Sequence, residues 1–92
     1  MIITKTKSSF YRRVFIAALI EEGFDTIPKI ATEIGAPRRT IQDTINALKE
    51  IDIECNFEGA NKNGSYAINS WGPINKVWVM NNLDNIRQTL KY

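Results

Sequence analysis

The chain has 92 residues, 43% of them hydrophobic, and a formal charge of +2, which describes one small domain with a core and excludes a disordered chain. With no histidine and a single cysteine, Cys55, it can form no internal disulfide, lacks the ligands for a zinc site and lacks the commonest general base. The charge is too small to identify a nucleic-acid partner by itself, but it is uneven: through Lys49 basic residues outnumber acidic ones 8 to 5, and from Glu50 onward acids lead 5 to 4.

Ser8 or Ser9 is expected to cap a first helix over residues 8–23, ended by Gly23. Tyr11, Val14, Phe15, Ala18 and Leu19 form one face, while Ile16 and Ile20 lie nearly opposite, beside Arg13. A helix apolar over so much of its circumference needs a second cover. Its longest apolar run, "VFIAALI", is too short to span a bilayer and no secretory segment precedes it, so the expectation is a soluble, cytoplasmic protein.

Thr26 is the next cap, with Pro28 tolerated in the first turn. Ile27, Ile30, Ala31 and Ile34 recur at helical spacing until Gly35 stops the helix. Pro37 opens a third helix with an inward stripe of Ile41, Ile45 and Leu48. A short helix, a glycine turn and a longer helix over residues 26–49 are the helix-turn-helix plan.

The period then changes to two. Ile51, Ile53, Cys55 and Phe57 alternate with Asp52, Glu54, Asn56 and Glu58, as in a half-buried strand. "GANKNG" is a hairpin turn and "SYAINSW" the returning strand, giving a hairpin over residues 51–70. Asn75 caps a last helix over residues 75–91 whose seam is Val79, Leu83, Ile86 and Leu90. Cys55 is expected to be a buried small hydrophobe, and Trp71 and Trp78 to seat the last helix.

This order resembles a bacterial winged helix-turn-helix regulator, MarR-like in the broad sense. The resemblance rests on Ala31, Gly35, "PRRTIQDTINAL" in the place of the recognition helix and the hairpin Ile53 to Ile68 as the wing. "WGPINKVWVMNNLDNI" is also similar to a small group of uncharacterised bacterial winged-helix proteins, which implies a fold and an activity rather than a target. The fold implied is α+β: three helices, a two-stranded β-hairpin wing and a C-terminal helix in one domain. Asp52 departs from the glycine these families often place before the wing strand, and with Glu54 and Glu58 it makes the wing root acidic.

The resemblance implies sequence-specific binding to double-stranded DNA, with residues 37–49 in the major groove. Two adjacent arginines at a helix start are disfavoured by the helix dipole by a few tenths of a kcal/mol each, roughly. A guanine or phosphate contact by Arg38 and Arg39 outweighs that. Gln42 and Asn46 carry amides suited to adenine. Lys49, Lys62 at the wing tip, Lys29 on the second helix, and Lys7 with Lys5 in an N-terminal arm are the expected phosphate contacts. The bland alternatives are an Arg39–Asp43 pair and a solvated hairpin tip, and the competing function is a protein-interaction module without DNA. No Gly-rich phosphate loop or grouped carboxylates suggest an enzyme, and no cofactor or effector is implied.

Assembly is expected as a homodimer through Ile16, Ile20, Val79, Leu83, Ile86 and Leu90, the faces one small core leaves uncovered. The alternative is a monomer in which Trp71, Trp78 and the last helix close both faces.

Overall fold

The computed structural model describes residues 3–60 and 62–92, so Asn61 of the hairpin turn lies outside the described residues. The elements run α1 (Lys5–Glu21), α2 (Ile27–Ile34), α3 (Arg38–Ala47), a 3-10 turn (Leu48–Ile51), β1 (Glu54–Glu58), β2 (Ser65–Ser70), α4 (Lys76–Asn81) and α5 (Leu83–Leu90). The α+β architecture is as expected: helices around a core, with one antiparallel hairpin projecting from it.

The central element is α1. Seven successive residues, Val14 to Ile20, are at most 5% exposed. A helix buried on every side needs neighbours on every side, and α1 has them in α3, α4, α5, β2 and the 3-10 turn. This corrects the expected dimer seam. Ile16, Ile20, Val79 and Ile86 are core residues of the single chain, and Leu83 and Leu90 pack against that core from its edge. Of the two tryptophans, Trp71 is buried and its Nε1–H donates to Glu21 Oε1 at 3.0 Å. Trp78 remains 45% exposed, so it does not close the core.

Several boundaries also differ from expectation. Thr4, not Ser8 or Ser9, caps α1, its hydroxyl accepting from the Lys7 N–H at 3.1 Å. Lys7 therefore sits in the first turn of a helix and not in an arm. Pro37 occupies the cap position of α3, which begins at Arg38. The last helix is two helices: Asn82 leaves helical geometry and its Nδ2 donates to the Trp78 carbonyl at 2.7 Å. An asparagine side chain competes for backbone groups in this way, and the seam consequently spans a kink.

The hairpin pairs Cys55 with Ile68 and Phe57 with Tyr66. Burial fades outward along it, from Ile53 at 1% to Phe57 at 44% exposed, because its root lies on the core while its tip stands clear. Ile51 belongs to the 3-10 turn and not to the strand. The Tyr66 N–H donates to the Asp25 carbonyl at 2.8 Å, tying the wing to the loop before α2. On the other side Arg87 pairs with Glu33 at 3.0 Å and lies over the Phe15 ring, fastening α5 to α2 and α1.

Candidate nucleic-acid interface

The stripe Ile41, Thr44, Ile45 and Leu48 turns inward and fixes the rotation of α3. At roughly 100° per residue, Arg39, Asn46 and Asp43 then form the outward ridge. Arg38, Gln42 and Lys49 lie on the flank toward the wing. Thr40, Asp43 and Ala47 lie on the flank toward α1.

Arg38, Arg39 and Asn46 are exposed. Among the described residues neither arginine forms an ion pair, so the Arg39–Asp43 alternative is not realised. Pro37 offers no side-chain cap, which leaves the first N–H groups of α3 open alongside both guanidinium groups.

Gln42 is half-buried and already engaged. Its Nε2 donates to Asn46 Oδ1 at 3.0 Å, and its Oε1 accepts from the Tyr66 hydroxyl at 3.4 Å, a long contact. Asn46 is exposed, and its Nδ2–H groups and the second lone pair of Oδ1 have no partner among the described residues. The network joins the recognition helix to the wing.

A cleft of about 500 Å³ separates α3 from the hairpin, lined by Asn46, Lys49, Glu54, Cys55, Asn56 and Tyr66 among others. Burial pushes the Cys55 thiol up to about 11, so it stays protonated at neutral pH and acts as a small apolar group. Lys62 is exposed at the wing tip, beside Thr26 and Pro28 at the start of α2. Arg38, Arg39, Gln42, Asn46 and Lys49 thus lie on the outward and wing-facing sides of α3 and the 3-10 turn, while Lys62 stands at the wing tip beside α2.

Lys29 and Lys7 do not join them. Lys29 Nζ pairs with Asp25 at 3.1 Å and shares a cleft with Glu22 and Glu33, surroundings that disfavour a phosphate. Lys7 Nζ lies over the Tyr11 ring at 5.3 Å. The residues of α1 that line a cleft with α3 are Ser9, Arg12 and Arg13, and Lys7 is turned roughly 120–160° around the helix from each.

Those three residues were missed by sequence reasoning, as was Tyr66. The signal for the first group was a second Arg-Arg pair, with Ser9 three and four residues before it on the same helical face. The Tyr66–Gln42 link depends on how the wing docks and leaves no local trace.

The family described as "Winged helix-turn helix" matches residues 5–90. No protein with a curated description matches the chain. Among solved structures it is similar to a DUF2131 family protein from Shewanella amazonensis SB2B. That protein is 30% identical, the match covers 96% of this chain and 94% of the other, and the TM-score is 0.89.

Proposed function

Because the chain belongs to the winged helix-turn-helix family, we propose that it binds double-stranded DNA sequence-specifically as a transcriptional regulator. In this reading α3 enters the major groove with Arg39 and Asn46 at base edges, Arg38 and Lys49 at its border, and Lys62 on a backbone phosphate. The observation that carries it is the pair of unpaired, exposed arginines at an uncapped helix start, followed one and two turns later by Gln42 and Asn46. Among the described residues no carboxylate pairs with those positive charges.

Anisotropy titration of a random duplex and of selected sequences, at two salt concentrations, tests this. Affinity falling steeply with salt reports phosphate contacts, and a ratio between sequences reports base reading. The competing reading, a protein-interaction module, is favoured by one observation: Val77 and Trp78 are 68% and 45% exposed on α4, away from α3. Absence of duplex binding at low salt selects the module.

A further inference from the structure

We propose that the cleft between α1 and α3 is a phosphate-binding site, built by Arg12 and Arg13 with the hydroxyls of Ser9 and Thr40. The cleft holds about 270 Å³ and is also lined by Asp43, Thr44 and Ala47. Arg12 Nε is sealed from solvent and has no hydrogen-bond partner. Buried N–H groups of charged side chains are nearly always paired, so this guanidinium is left unsatisfied by the chain; Nε is closed to water and so to a phosphate oxygen, and a ligand in the cleft would meet the terminal nitrogens. Among the described residues no carboxylate lies within 4.0 Å of either guanidinium.

The identity of the missing acceptor follows from what is already in the cleft. Asp43 supplies a carboxylate there and still leaves both arginines unpaired. A tetrahedral oxyanion directs its acceptor oxygens out of one plane and so suits two guanidinium forks and a hydroxyl on different walls of a cleft better than a planar carboxylate does. The Thr44 hydroxyl is spent on the Thr40 carbonyl at 2.8 Å, leaving those of Ser9 and Thr40 to donate. Asp43 halves the local positive charge and so favours a singly charged phosphodiester over a phosphate dianion. The cleft flanks α3 on the side opposite the wing, where the second strand bordering a major groove would run. The same chemistry is offered by a small phosphorylated molecule.

The side-chain Nε–H resonances of the arginines in the full chain separate these sources. They are followed by NMR while a random duplex or inorganic phosphate is added, with anisotropy on the same duplex. A shift of the Arg12 resonance with duplex but not with millimolar phosphate supports the site and assigns it to the DNA backbone. A saturable shift with phosphate supports it and assigns a small molecule, whether or not the duplex binds. No shift with either overturns the site, and anisotropy shows separately whether DNA binding itself has failed. On the backbone outcome Arg13→Ala lowers the slope of log affinity against log salt by about one, equally for all sequences. An unchanged slope there overturns the backbone assignment. Should Arg13→Ala disturb folding by circular dichroism, the native-chain titration still decides.

Discussion

Gln42 donates to Asn46 across one turn of α3 at 3.0 Å and is itself reached by the Tyr66 hydroxyl from the wing strand. Both ends of the Gln42 amide are therefore occupied inside the protein. It is placed to orient Asn46. The expected outcome is that Asn46→Ala removes discrimination at one base pair, by about 1–3 kcal/mol. Gln42→Ala weakens discrimination at that same base pair, and the double variant loses less than the sum. Two independent, additive losses at different base pairs in a binding-site selection would show Gln42 to be a reader.

Arg38 and Arg39 are exposed and form no ion pair among the described residues. The double alanine variant should melt at or slightly above the temperature of the native chain, because it removes two cations from the positive end of α3. Its duplex affinity should fall, with base preference relaxed. Lys62→Ala should weaken all sequences alike and lower the salt slope by about one. Lys7→Ala and Lys29→Ala should leave affinity and slope unchanged, given where those side chains lie. Anisotropy with the four variants orders these effects, and a large loss from Lys7→Ala would place the interface elsewhere.

Much of this was legible in the sequence because local rules and tertiary packing agreed. Ile27, Ile30, Ala31 and Ile34, then Gly35, then Ile41, Ile45 and Leu48, announce two helices and the turn between them. The contacts that form the surface were less legible. Lys7 and Lys29 are basic and near the motif in sequence, but the rotation of α1 and the acids around α2 turn them away from α3. The two apolar faces of α1 do need two covers, and the chain itself supplies both, because the kink at Asn82 lets α4 and α5 wrap round the helix.

That wrapping makes a direct prediction about the seam. Ile86 is fully buried and Val79 is 2% exposed. Glutamate at such a position buries an unpaired charge and removes a packed side chain, together costing at least about 3 kcal/mol. Ile86→Glu should therefore lose its far-ultraviolet circular dichroism, whatever the oligomeric state of the native chain. A folded variant that merely changes its sedimentation mass would restore the seam as an interface.

Cys55 gives a pH dependence. Its thiol is raised from 9.0 to about 11 by burial, so the folded state holds the proton more tightly than the unfolded state. This contribution to stability is constant below about 9 and is lost as pH rises from there through about 11. Alkylation of the native chain at pH 8 should be slow beside that of the urea-unfolded chain. Cys55→Ala should flatten the alkaline end of the stability curve. Equal alkylation rates would show the thiol to be open.

Two positive-φ residues meet where the wing leaves the core. Asp52 ends the 3-10 turn at φ 62, and Gly72 follows β2 at φ 56. A Cβ on Gly72 would collide with the Asp52 carbonyl, which is backbone and cannot swing aside. Gly72→Ala should therefore cost more than the roughly 1–2 kcal/mol of a left-handed alanine, since the 3-10 turn carrying Lys49 must also shift. Gly35 provides the control, because at φ 69 a Cβ there meets nothing within 4 Å. Gly35→Ala should show the conformational cost alone, and urea titrations should rank it well above Gly72→Ala in stability. Asp52→Gly relieves a left-handed aspartate and should be neutral or stabilising by up to about 1 kcal/mol. It should also raise duplex affinity, because it removes one acid from the wing root. Equal stabilities for the two alanine variants would mean that the Asp52–Gly72 contact yields without cost and does not fix the wing.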